Sequence, residues 1–177
     1  MSLLQAVVAS LREAGVDFAL IGAAALASHR VARATGDLDL LAVSPDALLP
    51  VTWNRLRADG CEVEIRVGDH EDPLAGVVRI ARGTAPPVDL VVGNRAWQRR
   101  AIERAEPREL EGTTVPVVRA SDLILLKLFA AGPQDRWDVA RLLEAATDRA
   151  ALVAAVEADL PELGEHAARV WQEVARA

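Results

Sequence analysis

The chain has 177 residues, of which 51% are hydrophobic and 26% charged, and its formal net charge is −6. This length suits one compact domain, or one domain with a helical appendage, and the apolar content allows a sizeable core. The acidic balance argues against non-specific binding of nucleic acid over the whole surface. No apolar run reaches the roughly 18 residues that a membrane span needs.

The start of the chain and its cysteine content both predict a cytoplasmic protein. The first residues, Met-Ser-Leu-Leu-Gln-Ala, lack the basic character that opens a signal peptide. Cys61 stands alone, so no disulfide can form within the chain. We therefore expect a cytoplasmic protein with no membrane partner.

Helix-like and strand-like patterns alternate through the first third of the chain. Apolar residues recur at helical spacing over residues 3–14, and Gly15 is suited to end that helix. The predicted elements that follow are a buried strand at 18–21, a turn at Gly22, a helix at 23–30, a strand at 38–43 and a helix at 46–59.

The rest of the chain changes from strands to helices. Strands are predicted at 62–67, 77–81, 88–92 and 115–118, with a short basic helix at 95–104. From Ser121 the patterns are helical, with a break at Gly132-Pro133. We therefore expect an α+β fold, with an α/β domain over residues 1–118 and a helical C-terminal region over residues 119–177 packed on it.

Asp37 and Asp39 are the most informative pair of residues. They alternate with leucines at the start of a predicted strand, so their side chains point to the same face. Two adjacent carboxylates repel each other unless a cation lies between them, and oxygen-only ligands favour Mg²⁺ or Mn²⁺. An ordinary strand with solvent-facing acids would show the same alternation, but the upstream glycine turn at Gly22 favours a metal site.

Residues 18–42 resemble the nucleotidyltransferase superfamily typified by DNA polymerase β. The signature is an apolar residue, Gly, then Gly or Ser, a short helix, and an Asp-x-Asp flanked by apolar residues. Ile21-Gly22-Ala23 and Asp37-Leu38-Asp39-Leu40 supply its two parts. Within the superfamily, the segment is similar to a small bacterial branch of minimal nucleotidyltransferases that includes the AbiEii-type toxins. The residues in that register are Ala25, Leu26, His29, Arg33, Thr35, Asp37 and Asp39.

Two positions depart from the pattern of this branch. Ala23 stands where Gly or Ser is usual, which keeps the backbone N–H but supplies no hydroxyl for a nucleotide. Arg30 replaces the common Gly after His29, a change that affects a local turn.

The resemblance implies a mixed sheet flanked by helices and a two-metal transfer of NMP from an NTP to a hydroxyl. The acceptor would be RNA, a protein or a small molecule, and an antitoxin protein would be a further partner. Asp37, Asp39 and Asp89 would be the catalytic, metal-binding carboxylates. The nucleotide would contact residues distributed along the chain: Gly22, Ala23, His29, Arg33, Thr35 and Lys127.

Asp89 is the candidate third carboxylate because it lies inside an otherwise apolar strand, where an unpaired charge is costly. A solvent-facing aspartate on an edge strand is the alternative. The acids of the polar loop after residue 67 are weaker candidates, since a loop explains them without a function: Asp69, Glu71 and Asp72.

Lys127 lies on a predicted helix that is apolar on nearly every face. It must either extend to solvent or meet an anion, and we expect it to reach phosphate or to pair with Asp138. Asp135 and Asp138 are interpreted as structural partners rather than catalytic groups.

Three further residues near the Asp-x-Asp pair allow two interpretations. His29 and Arg33 either position and contact the triphosphate or form a helix cap and a solvated side chain. Thr35 is expected to shape the turn before Asp37. The arginines between 95 and 108 are interpreted as a solvated helix, with Arg99–Glu103 pairs, rather than an RNA-facing ridge.

A second class of function stays open at this point. The same fold could serve as a non-catalytic binding module or an antitoxin subunit, and Ala23 supports that alternative. The retained acids argue against it, because mutually repelling carboxylates have no purpose in an inactive domain.

Overall fold

The computed structural model describes residues 1–33 and 36–175. In these residues, seven strands form one mixed sheet in the order β3-β4-β5-β2-β1-β7-β6. The strands are β1 (Phe18–Ile21), β2 (Leu38–Ala42), β3 (Glu62–Val67), β4 (Gly76–Ala81), β5 (Val88–Val92), β6 (Glu106–Leu110) and β7 (Thr113–Val117).

Helices flank this sheet and then continue alone after its last strand. They are α1 (Leu3–Glu13), α2 (Gly22–Ser28), α3 (Asn54–Ala58), α4 (Ala96–Glu103), α5 (Ala120–Ala130), α6 (Pro133–Ala145), α7 (Arg149–Asp159) and α8 (Glu165–Ala175). The predicted α+β fold, a mixed sheet flanked by helices, is confirmed. The division into two domains at residue 118 stays a prediction; the last strand ends at Val117.

The strand directions at the centre of the sheet determine which side chains become neighbours. β2 is antiparallel to β1 and parallel to β5, while β4 is antiparallel to β5. Because residues directly opposite each other on adjacent strands share a face, residues from distant parts of the chain meet in one row. Leu40 and Leu90 are fully buried in the core on one face of the sheet, whereas Val77 and Val91 on the opposite face are only partly buried.

The helix predicted over residues 46–59 is wrong in its length. The segment contains 3₁₀ turns at Pro45–Leu48 and Pro50–Trp53, and only Asn54–Ala58 is α-helical. Pro50 explains the interruption, since proline lacks an N–H and pushes the preceding residue out of the helical region. Leu49 is extended accordingly, with ψ 129°.

Strand β6 was not predicted, because its sequence Glu-Pro-Arg-Glu-Leu is polar and lacks the alternation of a half-buried strand. It is an edge strand, where a proline can be accommodated. A two-residue turn joins it to β7, with positive φ at Glu111 (49°) and Gly112 (73°). Positive φ at both positions is typical of a type I′ hairpin turn.

Helix α4 provides one contact between the sheet-forming part and the helical C-terminal region. Trp97 on α4 meets Phe129 on α5 edge to face, with ring centroids 5.5 Å apart. Arg104, at the end of α4, pairs with the fully buried Asp122 on α5. None of the helices in the described residues has both the length and the apolar character needed to cross a membrane.

Candidate active site

Two carboxylates from distant parts of the chain lie side by side on the central strands. Asp39 on β2 is directly opposite Asp89 on the parallel strand β5. On the other side of β2, Asp39 is opposite Ile21, the last residue of β1 before Gly22. The strand pairing therefore brings the glycine turn and two of the predicted acids to one place.

Gly22 has a backbone conformation and a contact that both require glycine. Its φ is +64°, and a Cβ at this position would lie 1.9 Å from Oδ2 of Asp39. Any larger residue would displace this carboxylate as well as strain the backbone. The Asp39 carboxylate consequently rests against the main chain of the turn.

Burial raises the pKa of Asp39, and the charges of Asp37 and Asp89 raise it further. Lys127 and Arg33 act in the opposite direction, but their positive charges do not offset these effects. The Asp39 carboxylate thus lies in a region with excess negative charge. A bound cation would relieve this repulsion.

Asp89 is held by a partner that the sequence did not reveal. Arg79 on β4 donates a hydrogen bond from Nη1 to Oδ2 of Asp89, at 2.6 Å. The other carboxylate oxygen, Oδ1, is buried and has no hydrogen-bond partner among the described atoms. The signal for Arg79 is its position in the β4–β5 register, which cannot be read before the strands are paired.

Lys127 pairs with both acids of the next helix. Its Nζ lies 2.8 Å from Oδ1 of Asp135 and 2.8 Å from Oδ2 of Asp138. Arg33 Nη1 also reaches Oδ2 of Asp138, at 3.1 Å. Asp138 is fully buried, so it needs these two cations, and the expected Lys127–Asp138 pair is present.

Asp135 has a second role at the start of α6. Its Oδ2 accepts a hydrogen bond from the backbone N–H of Gly132 at 3.0 Å, while its Oδ1 holds Lys127. The helix start and the Lys127 side chain are therefore fixed by the same carboxylate.

Three further predicted site residues, His29, Arg33 and Ala23, lie on or just after α2. α2 ends at Ser28, and Arg30 has a positive φ of 66°, so His29 and Arg33 do not share a helical face. His29 Nε2 lies 2.8 Å from the carbonyl oxygen of Val118, which ties the end of α2 to the residue after β7. Ala23 is buried in the first turn of α2.

Asp37 precedes β2 and adds its charge to the surroundings of Asp39. Thr35 lies outside the described residues.

A surface pocket of ≈ 510 Å³ adjoins the carboxylate pair. It extends across β3, β4 and β5, away from Gly22. Its lining combines acids, arginines and valines: Asp39, Glu64, Arg66, Val77, Arg79, Asp89 and Val91. The carboxylate pair is therefore open to solvent through this pocket.

The carboxylates have the donor chemistry for a hard divalent cation. Within residues 1–33 and 36–175, no three His, Cys, Asp or Glu side chains are already gathered as a metal site. Asp39 and Asp89 are nevertheless adjacent, one Asp89 oxygen is buried without a partner, and negative charge is in excess at Asp39. These residues fit Mg²⁺ or Mn²⁺, which prefer oxygen ligands.

Comparisons with known proteins identify the family of the chain. A family model described as the nucleotidyl transferase AbiEii toxin, Type IV TA system, matches residues 2–173. No curated protein matches the chain.

Two adenylylation enzymes share the fold at low sequence identity. The crystal structure of ANT(2″)-Ia in complex with adenylyl-2″-tobramycin is 14% identical, with a TM-score of 0.58 over 92% of this chain and 97% of that chain. The lincomycin-bound lincosamide antibiotic adenylyltransferase LnuA is 12% identical, with a TM-score of 0.50 over 81% of this chain and 96% of that chain.

Proposed function

The chain belongs to the AbiEii family of nucleotidyltransferase toxins, and we propose that it transfers NMP from an NTP to an acceptor hydroxyl with a divalent metal ion, Mg²⁺ or Mn²⁺. The observation that carries this proposal is the pairing of Asp39 with Asp89 beside the Gly22 turn. Excess negative charge at Asp39 is the electrostatic setting in which a cation binds.

The proposed metal ligands are Asp37, Asp39 and Asp89. When bound there, divalent ions would neutralise charge on the phosphates and lower the pKa of the attacking hydroxyl. The protein contributes position: Gly22 sets the Asp39 carboxylate against the turn, and β5 sets Asp89 next to it. Holding both reactants in one geometry supplies a large part of such a rate enhancement.

The transfer breaks one phosphoanhydride bond and makes one phosphoester bond. The acceptor oxygen bonds to the α-phosphorus, and the bond from that phosphorus to the α–β bridging oxygen breaks. Pyrophosphate leaves with the electron pair, and the hydroxyl proton passes to a carboxylate of the site or to water.

Lys127 and Arg33 are the proposed cations for the triphosphate, with Gly22, Ala23, His29 and Thr35 completing the nucleotide site. Both cations lower the pKa of Asp39, so their charges are felt at the proposed metal site. Both also hold Asp138, so a triphosphate would compete with this buried carboxylate for them. His29 would act through its contact with Val118 rather than by direct contact with phosphate.

The acceptor defines the biological role. RNA, a protein side chain and a small molecule each offer a hydroxyl, and an antitoxin protein is the proposed partner that controls the activity. The structural neighbours were captured with adenylyl-tobramycin and lincomycin, which makes small molecules a necessary arm of the test.

The test is incubation of the purified protein with each α-labelled NTP, Mg²⁺ and a cell lysate, followed by separation of RNA, protein and small molecules. We expect label in one fraction, lost in Asp39→Asn and Asp89→Asn and retained in Asp69→Asn. Asp69 is an exposed loop acid, so its variant controls for loss of one negative charge.

Two outcomes would overturn the proposal. No transfer from any NTP, together with no Mg²⁺-dependent NTP binding by calorimetry, would favour a non-catalytic binding module. Loss of transfer in Asp69→Asn but not in Asp89→Asn would show that the third catalytic carboxylate is Asp69, in the loop, rather than Asp89.

A further inference from the structure

Four charged residues form a row across neighbouring strands. Glu64, Arg79, Asp89 and Asp39 are successive partners on β3, β4, β5 and β2. Directly paired residues on adjacent strands point to the same face, so the four side chains share one side of the sheet. Arg79 is therefore next to the proposed metal-binding pair without belonging to it.

Within this row, Arg79 forms an ion pair with Asp89 but not with Glu64. Glu64 is paired with Arg66 on its own strand, at 2.7 Å, although it lies opposite Arg79. Arg79 instead donates to Oδ2 of Asp89 at 2.6 Å. The Arg79 side chain is 49% exposed and that of Asp89 only 17%, so the arginine reaches inward from the pocket.

The two oxygens of Asp89 consequently differ. Oδ2 is fixed by Arg79, whereas Oδ1 is buried and has no hydrogen-bond partner in the described part of the chain. A buried carboxylate oxygen without a partner is costly, and a cation would satisfy it. A carboxylate held at one oxygen also cannot rotate freely to present the other in a different direction.

We propose that Arg79 is a positioning residue that fixes Asp89 by one oxygen and leaves the other for the metal ion shared with Asp39. This inference rests on the proposed function, because it assumes that these two carboxylates bind a metal. Hydrogen-bond partners that orient metal ligands commonly contribute 10- to 100-fold to metal affinity, and Arg79 has the position of such a partner (about 10-fold is expected here).

Whether removal of Arg79 weakens or tightens metal binding distinguishes a positioning role from simple charge repulsion. A positive charge beside a cation site repels the cation, so removing it should tighten binding. Removing a positioning residue should weaken binding, because the carboxylate loses its fixed orientation. Arg66 lines the same pocket and carries the same charge but pairs with Glu64, which makes it the matched control.

The experiment measures Mn²⁺ binding to the full chain by electron paramagnetic resonance of the free ion. The variants are Arg79→Gln, Arg79→Lys, Arg66→Gln and Asp39→Asn, each checked for folding by thermal unfolding. We expect about 10-fold weaker binding in Arg79→Gln, partial recovery in Arg79→Lys, and unchanged or tighter binding in Arg66→Gln.

Each contrary result has a defined meaning. Tighter or unchanged Mn²⁺ binding in Arg79→Gln, or equal effects in Arg79→Gln and Arg66→Gln, would overturn the positioning role of Arg79. The proposed metal site would be unaffected by that result. If Arg79→Gln does not fold, a folded Arg79→Lys variant decides: weaker Mn²⁺ binding than in the unmodified protein would support positioning, because the positive charge is kept, and unchanged binding would overturn it. No Mn²⁺ binding by the unmodified protein, or binding unaffected in Asp39→Asn, would overturn the metal site and this inference together.

Discussion

Asp39 is partly buried and Asp122 fully buried, and burial is the largest influence that raises the pKa of each, yet their surroundings differ. Asp39 has two further carboxylates acting on it, from Asp37 and Asp89, and they raise its pKa more. Asp122 has Arg104, whose hydrogen bond and charge both lower its pKa.

The surroundings of Asp122 form an ion-pair network. Arg104 pairs with Asp122 and, at 2.8 Å, with Asp159; Arg100 pairs with Asp159 at 3.1 Å and also with Glu162. Burial acts to raise the pKa of Asp159, but the hydrogen bonds and the charges of Arg104 and Arg100 together outweigh burial and lower the pKa. This network joins α4 to the C-terminal helices.

The comparison shows that a raised pKa does not by itself mark a functional site. What separates the two aspartates is the charged neighbour that acts on each most strongly. After burial, the largest influence on the pKa of Asp39 is repulsion by Asp37, whereas at Asp122 it is the hydrogen bond from Arg104. We therefore expect substitutions at Asp39 to affect activity and substitutions around Asp122 to affect stability.

Substitution of Asp39 is expected to have the largest effect, and it tests whether this aspartate serves activity rather than stability. Asp39→Asn should lower nucleotidyl transfer by about 10³-fold, because it removes a charge that acts on the reacting phosphates. The same change should raise the free energy of unfolding by about 1 kcal/mol, since it removes repulsion among carboxylates. Initial rates of label transfer and urea denaturation measure the two quantities.

A loss of stability in Asp39→Asn would contradict the contrast. It would mean that Asp39 is an ordinary structural partner, as Asp122 is.

The contribution of the Arg104–Asp122 pair to stability is tested by Arg104→Met, which leaves Asp122 buried without its main partner. We expect the free energy of unfolding to fall by about 3 kcal/mol. The double variant Arg104→Met/Asp122→Asn should recover part of this loss, because no buried charge is left unpaired. Urea denaturation of both variants provides the measurement, and an equal or greater loss in the double variant would contradict the proposed cause.

A glycine substitution tests whether the contact between Gly22 and Asp39 matters for activity. Gly22→Ala should lower transfer by about 100-fold, because its Cβ would displace the Asp39 carboxylate. Gly15→Ala is a matched control: its φ is +66°, but no atom lies within 4 Å of the added Cβ. Both variants should lose about 1 kcal/mol of stability from backbone strain, and only Gly22→Ala should lose activity.

Equal activities in the two glycine variants would show that the contact between Gly22 and Asp39 has no catalytic importance.

The smallest expected effect is a pH dependence of the Arg104→Met penalty. Removing Arg104 removes its hydrogen bond and its charge, which are two of the three interactions that lower the pKa of Asp122, so this pKa rises further in the folded variant. A buried acid with a raised pKa destabilises the fold above that pKa, and the destabilisation disappears as the pH falls through it. The penalty should therefore shrink by about 1 kcal/mol between about pH 8 and about pH 5.

Urea denaturation of the variant and the unmodified protein at both pH values gives this difference. A penalty that grows as the pH falls would show that Asp122 is not the group responsible.

The sequence predicted the family and the fold because their signals are local. Gly22, Asp37 and Asp39 lie within one short segment whose spacing is diagnostic, and the strands at 62–67 and 88–92 alternate or are apolar as expected. The roles of the site residues stay predictions. The partners of these residues were harder to find, because Arg79 meets Asp89 only through strand pairing.

The arginines of α4 illustrate the same difficulty. The interpretation of a solvated helix was wrong for Arg104, which pairs with a fully buried acid 18 residues further along the chain. Arg99 bonds to the carbonyl of Val43 at 3.1 Å, rather than to the expected Glu103. Sequence spacing identifies neighbours along one helix, whereas these contacts depend on how separate elements pack.

The sheet order has a consequence for the chain while it is being synthesised. β1 and β2, which carry Gly22 and Asp39, emerge from the ribosome well before β5 brings Asp89 and α5 brings Lys127. A nascent or truncated chain that ends before these elements lacks Asp89, one of the three proposed metal ligands, and Lys127. We therefore expect nucleotidyl transfer to begin only after α5 has been synthesised, so that shorter copies of this toxin-family chain do no harm to the cell that makes them.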